Sequence, residues 1–293
     1  MDGNRRPLAW SARNYLYFRP RSLSEAIDNL SRHGGQILSG GTDFFPALGD
    51  RPLPSAIVDI SGVAELRGIS TDDEYVRIGG LTTWTEILRT PLPRCFDALK
   101  AAAREVGSIQ IQNRGTIAGN LCNASPAADG VPPLLALNAE VELVSSEGTR
   151  RVPLGDFLLG NRKTVRHPDE VLTAVVIPRE LEDARSAFLK LGARRYLVIS
   201  IAMVAAVLKS DASGLVAQAR VAVGSCSVIA RRLVHLENGL IGAPAGPGIG
   251  NVVLAEHLSV LSPIDDVRAP AAYRQDAALT LVRRTLEACV EAA

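Results

Sequence analysis

An α+β protein of two domains is the fold class this sequence predicts, and three observations predict it. Strand-like and helix-like runs mix irregularly over the first 180 residues, without the regular strand–helix repeat of a Rossmann domain. The polar stretch RELEDARS follows Ile177-Pro178 and reads as a linker. Beyond it, FLKLGA, YLVISIAMVAAVLK and GLVAQARVAVGSC predict three strands of an antiparallel sheet, and helix-like runs such as AALTLVRRTLEACVEAA complete the chain. The predicted domains cover residues 10–180 and 185–293.

In order along the chain, RPRSLSEAIDNLSRHGG places Ser22 and Glu25 at capping-box spacing, and Ala26, Ile27 and Leu30 on one apolar face that ends at Gly34-Gly35. A short strand through Ile37 and Leu38 enters the turn Ser39-Gly40-Gly41, and an apolar segment starts near Phe44. SAIVDI (55–60) and EYVRIGG (74–80) are strands; TTWTEIL (82–88) begins a helix, with Thr83 and Glu86 again at capping-box spacing. A longer helix runs from Cys95 to about Val106. AEVELVSSEGTRRVPL (139–154) alternates around Glu147-Gly148 as a hairpin does.

Composition excludes several function classes. With 47% hydrophobic and 22% charged residues over 293 positions, the chain is an ordinary globular protein with room for two domains. Lys and Arg number 32 against 31 Asp and Glu, so a net charge of +1 supplies no field for nucleic acid or an acidic membrane. MDGNRRPLAWSARN has arginines without a following apolar stretch and is not a secretory signal. The longest apolar run, Tyr196 to Leu208, is shorter than the ~20 residues of a membrane-spanning helix and reads as a buried strand. A cytoplasmic location is expected. Cys95, Cys122, Cys226 and Cys289 are far apart, and no pair has the spacing of a zinc or iron–sulfur loop, so no metal site is expected. His33, His167, His235 and His257 are scattered and predict no metal or catalytic cluster.

The residues that could carry chemistry are glycine turns. Ser39-Gly40-Gly41-Thr42-Asp43 ends an apolar run, and such a turn converges several backbone N–H groups on one point, where an anion can bind; standing alone it is more often a plain tight turn. Thr116-Ile117-Ala118-Gly119-Asn120 repeats the form, entered from an expected strand, and two such turns could grip a pyrophosphate from both sides. GxxxxGK[ST] does not occur, nor does GxGxxG between a strand and a helix; GAPAGPGIG at 242–250 has the composition of a surface loop. A dinucleotide bound here is not bound in the Rossmann manner.

SGGTD at 39–43, NRGTIAGNLCNASPAADGVPPLLAL at 113–137 and FLKLGARR at 188–195 together resemble the FAD-binding medium subunit of the molybdenum hydroxylases, the xanthine dehydrogenase and carbon monoxide dehydrogenase family. The similarity runs in order from YFRPRSLSEAIDNL into the C-terminal domain. It implies an N-terminal PCMH-like FAD-binding domain of the vanillyl-alcohol-oxidase type with two α+β subdomains, and a C-terminal domain of a three-stranded antiparallel sheet with helices. It also implies that Leu38, Ser39, Gly40, Gly41, Thr42 and Asp43 form one FAD loop and Thr116, Ala118, Gly119 and Asn120 the other. Ser125 and Asp129 would bond the ribityl and flavin region, Leu172 would lie by the ring, Lys190 would stand near the isoalloxazine, and Cys122 and Ile199 would touch the ring faces. Ala118 stands where the family usually has glycine, and its methyl could narrow the approach to phosphate.

Read from the residues alone, Asp129 before GVPP could instead cap the next helix, Lys190 could be an exposed strand lysine, and Cys122 could be an inert buried thiol. The resemblance further implies a heterotrimer: a molybdopterin-binding large subunit oxidises the substrate, a small subunit carries two [2Fe–2S] clusters, and this chain passes electrons through FAD to a terminal acceptor such as NAD, oxygen, a quinone or a cytochrome. No catalytic residue is expected on it. The cysteine-bearing insert of the 4-hydroxybenzoyl-CoA reductase relative does not occur in the sequence. Two other readings stay open, a stand-alone FAD oxidase of the same fold and a non-flavin assembly protein with a decayed cofactor loop, for which Ala118 is the hint.

Overall fold

The computed structural model describes residues 15–291. The expected start of the first domain at residue 10, the N-terminal stretch before Tyr15 and the last two residues lie outside the described residues.

The first domain is two subdomains. The smaller is a parallel sheet of β1 (Leu16–Phe18), β2 (Gln36–Leu38) and β3 (Ala56–Asp59), in the order β1-β3-β2, with α1 (Leu23–His33) before β2 and α2 (Phe44–Leu48) after it. Ser22 caps α1 by accepting from Glu25 N, while Glu25 reaches back to Arg21 N rather than to the cap residue itself. Ala26 and Leu30 of α1 bury against Val58 and Ile60, so the predicted apolar face is the packed one.

The larger subdomain is an antiparallel sheet whose strands are β4 (Ile69–Thr71), β5 (Tyr75–Gly79), β6 (Glu140–Ser145), β7 (Gly148–Pro153) and, after the small hairpin β8 (Leu158–Gly160) and β9 (Lys163–Thr164), β10 (Val171–Pro178). Their order is β4-β5-β10-β6-β7, with β6 and β7 forming the predicted hairpin. Between β5 and β6 the chain folds five helices: α3 (Trp84–Arg89), α4 (Asp97–Glu105), α5 (Ile109–Gln112), α6 (Ile117–Asn123) and α7 (Val131–Ala136), with α8 (Leu154–Phe157) following β7. The Thr83–Glu86 capping box is complete in both directions.

The second domain is an antiparallel sheet of β11 (Arg185–Leu191), β12 (Ala202–Ser210) and β13 (Val216–Gly224), to which a two-residue β14 (Arg231–Arg232) adds a fourth, short edge; α9 (Val234–Leu240) and α10 (Ala271–Glu291) pack on it. The expectation of three strands is therefore corrected to three long strands and one short. The expected strand from Tyr196 begins only at Ala202. Residues 192–201 instead form a loop in which Leu197 has φ 52° and Ile201 N donates to Leu191 O, leaving Tyr196, Leu197 and Ile199 exposed.

β12 is apolar at nearly every position because both of its faces are buried. Met203, Ala205 and Val207 face the first domain's core with Leu99 and Leu134, while Val204, Ala206 and Leu208 join Leu236, Val282 and Leu286 of the helices behind. The two domains thus share one core across the sheet, and the polar segment read as a linker is packed, with Leu181 and Ala184 buried.

Candidate functional site

The first glycine turn leaves the carboxyl end of β2, the end of a parallel sheet where ligands characteristically bind. Gly41 has φ 76°, a conformation that side chains with a Cβ rarely adopt. Gly40 has φ below zero, but a methyl group there would overlap the Arg114 carbonyl oxygen, so its glycine is required by the approach of the two loops. Among the described residues, the backbone N–H groups of Gly40, Gly41, Thr42 and Asp43 donate to no protein acceptor. Four successive unpartnered donors on one loop are suited to a polyanion.

The second element differs from its expected form. Thr116 is the N-cap of α6 and is preceded by α5, not by a strand; its hydroxyl accepts from Gly119 N at 3.1 Å. The remaining N–H groups at this end of α6 are already used: Ile117 N by Thr82 O, Ala118 N by Gly80 O and Asn120 N by Thr116 O. So the two turns do not grip an anion symmetrically. The donors belong to the first loop, and the second contributes side chains and holds the first in place through a 2.8 Å contact between Ser39 Oγ and Thr116 Oγ1. Ala118 lies inside α6, where φ is negative, and is buried beside Gly80, so its methyl costs the backbone no strain.

These segments line a cleft of about 680 Å³, within the usual range for a cofactor site. Ser39, Gly40, Gly41, Thr42, Asp43, Thr116, Ala118, Gly119, Asn120, Cys122 and Leu172 all line it. Asn120 Oδ1 has no hydrogen-bond partner among the described residues and is fully buried beside Gly130. Free amides on one loop and apolar Phe44, Ile60 and Val171 along the walls fit a long, part-anionic, part-aromatic molecule such as FAD.

Leu38, Ser125, Asp129 and Lys190 do not line this cleft. Leu38 is buried beneath the turn, within reach of a methyl group placed on Gly41. Ser125 Oγ accepts from Ala127 N, a local turn bond. Asp129 is not a helix cap, and Lys190 is not an exposed lysine: their side chains are 9% and 6% exposed and pair at 2.7 Å, joining the first domain to β11 of the second. Ser200 Oγ donates to the other oxygen of Asp129 at 2.6 Å. Burial raises the Asp129 carboxyl above its ordinary range, against the opposing effects of Lys190 and Ser200. Ile199 is exposed and also lies outside the cleft lining.

Cys122 is partly buried in the cleft wall, and desolvation pushes its thiol up to about 11, so it is protonated and unreactive at neutral pH. Three lining residues carried no signal in the sequence. Trp84 is buried beneath the site and packs where methyl groups on Gly115 or Gly130 would fall; its backbone N–H donates to Gly115 O at 3.2 Å. Arg51 folds back on the Ala47 and Leu48 carbonyls, and Arg166 enters from the segment after β9.

Residues 11–180 match the family described as the FAD binding domain in molybdopterin dehydrogenase, and residues 187–289 match the CO dehydrogenase flavoprotein C-terminal domain. The chain is 36% identical over 240 residues to the nicotinate dehydrogenase FAD-subunit of Eubacterium barkeri, covering 79% of this chain and 81% of that one. It is 33% identical over 284 residues to a putative xanthine dehydrogenase FAD-binding subunit of Escherichia coli K12, covering 94% and 96%. Among solved structures, a chain of CO dehydrogenase from Oligotropha carboxidovorans superposes with a TM-score of 0.88 at 26% identity, over 95% of this chain and 98% of the other. One of quinoline 2-oxidoreductase from Pseudomonas putida 86 gives 0.87 at 27% identity, over the same shares.

Proposed function

Because the chain belongs to the family of FAD-binding subunits of molybdopterin dehydrogenases, we propose that it holds FAD in the cleft between its two glycine-containing segments and serves as the electron-transfer subunit of a molybdenum hydroxylase complex. It is an oxidoreductase subunit whose cofactor is FAD. The observation that carries the placement is the row of unpartnered N–H groups at Gly40 to Asp43, residues that line the cleft. The Gly40–Asp43 amides would hold the pyrophosphate, and Cys122 and Leu172 would line the flavin end of the cleft.

Bound FAD supplies a carrier that takes electrons singly and releases them in pairs. The chain's own residues bind and orient it. Ser39 and Thr116 keep the phosphate loop in register with α6, Trp84 packs beneath Gly115 and Gly130, and Leu172 excludes water from one wall. The buried thiols of Cys95, Cys226 and Cys289 are pushed up to about 12, 11 and 12, chiefly by desolvation, and are held protonated. Family membership supports a division of labour in which a molybdopterin-binding large subunit oxidises the substrate and [2Fe–2S] clusters on a small subunit deliver electrons here, for passage to NAD, oxygen or a quinone.

We assign the first domain, 10–180, to the PCMH type and the second to 185–293, a division supported by the ranges of the two family matches. Four free cysteines suit the reducing cytoplasm, and among the described residues no helix is long and apolar enough to cross a membrane. The decayed-cofactor alternative loses its hint, since the Ala118 methyl is accommodated within α6. Co-expression with the partner subunits tests the reading. FAD should co-purify and bleach when the partner's clusters are reduced; substrate turnover by this chain purified alone would contradict it.

A further inference from the structure

We infer that Arg166 is the cation that faces the flavin ring, the electrostatic role that resemblance assigns to Lys190. This rests on the reading that the cleft holds FAD with its ring towards Cys122 and Leu172. Lys190 is spoken for: its ammonium is buried against Asp129 at 2.7 Å and does not line the cleft. Its charge is neutralised within the domain interface.

Arg166 is the opposite case. It is half-buried and lines the cleft, and among the described residues no carboxylate lies within ion-pairing distance of it. Its Nη1 donates to the carbonyls of His167, Pro168 and Glu170 at 2.9, 3.4 and 2.7 Å. Because the guanidinium is planar, fixing one nitrogen on three carbonyls fixes the fork, while Nε and Nη2 donate to no described protein acceptor. The segment itself is locked, since the Glu170 carboxylate accepts from Arg150 Nε and Nη2 at 2.6 and 2.9 Å and from His167 N at 2.7 Å. A charge held this firmly needs little reorganisation to act.

Its position along the cleft follows from Cys122. Arg162 N, four residues before Arg166, donates to the carbonyl of Ala124, the residue that ends α6, at 3.0 Å, and Cys122 and Arg166 line the same cleft. Cys122 is in the last turn of α6, and six residues of helix place it roughly 9 Å from Thr116. Arg166 therefore sits at the end of α6 remote from the Ser39–Thr116 contact and from the free amides of the first loop. Arg51, the other arginine in the lining, is turned back on the end of α2, the helix that follows that first loop. A fixed cation at the far end favours the negative charge the ring gains on reduction, strengthened by partial exclusion of water.

The test uses Arg166→Met and Arg166→Lys in the full chain loaded with FAD, with flavin midpoint potential and FAD dissociation constant as the two readouts. Arg166→Met is expected to shift the midpoint potential to more negative values while the FAD Kd rises by less than about tenfold, and Arg166→Lys to recover most of the shift. An unchanged potential in Arg166→Met with FAD retained overturns the inference. So does a Kd rise of more than about tenfold with no change in potential, which would place the guanidinium on the phosphates. A wild-type chain that retains no FAD overturns the cofactor reading itself, an outcome distinct from both.

Discussion

The hydroxyls of Ser39 and Thr116, 77 residues apart in sequence, meet at 2.8 Å and tie the loop after β2 to the start of α6. One loop keeps its backbone donors free; the other spends its own on Thr82, Gly80 and Thr116 and serves as the anchor.

Thr116→Val removes both the bond to Ser39 and the α6 cap. It should cost about 1–2 kcal/mol in urea unfolding, with weaker FAD retention, and Thr116→Ser should restore both. Ser39→Ala loses only the tie and should cost about 1 kcal/mol or less. Equal stability of Thr116→Val and wild type would remove the anchor from the account.

Gly41→Val should abolish FAD retention while the chain stays folded by far-UV circular dichroism. At φ 76° a Cβ is strained, and it would stand 3.3 Å from the Phe45 ring, so the loop must move and its N–H groups with it. Gly40→Ala should act similarly by driving the turn away from the Arg114 carbonyl. Normal flavin content in either variant would refute the loop assignment.

Lys190→Met leaves Asp129 buried without its cation and should destabilise the protein by about 3–5 kcal/mol, with the Asp129→Asn/Lys190→Met double variant losing less than the sum. Burial already raises the Asp129 carboxyl, and loss of Lys190 raises it further. A raised carboxyl makes the folded state bind the proton more readily than the unfolded one, so stability is lost as pH rises through the raised value. The deficit of Lys190→Met should therefore grow from acid towards neutral pH in chemical unfolding; a deficit independent of pH would contradict this.

Asp266 behaves in the opposite sense. Hydrogen bonds from Arg268 foremost, then Arg274, hold it well below the usual carboxylate range, and Glu142 and Glu170 are lowered by their bonds from Thr173 and Arg150 despite burial. These depressed carboxyls contribute stability that is present above the unfolded value and lost as pH falls through the folded one. The urea midpoint should drop below about pH 4, and Asp266→Asn should be less stable at neutral pH with a shallower acid slope.

What could be read from the sequence was local. The Thr83–Glu86 capping box, the β6–β7 hairpin and the Gly40-Gly41 turn are set by neighbouring residues, and each stands where its spacing placed it. What escaped was decided over long range. The N–H groups of Ile117 and Ala118 are claimed by carbonyls at Thr82 and Gly80, so the second turn is no copy of the first. Leu197 at φ 52° breaks an apolar run that pattern alone extends into a strand. Asp129 finds Lys190 across the domain boundary instead of capping α7, and Arg166 reaches the cleft from NRKTVRHPDE, a stretch without a motif.

The most direct measurement is the visible absorption spectrum of the purified full-length chain after incubation with FAD or with FMN and removal of unbound cofactor. If the Gly40–Asp43 amides grip a pyrophosphate, FAD is retained at about one per chain and FMN is lost. Equal retention of FMN and FAD would show that the phosphate loop does not hold the dinucleotide and would contradict the account.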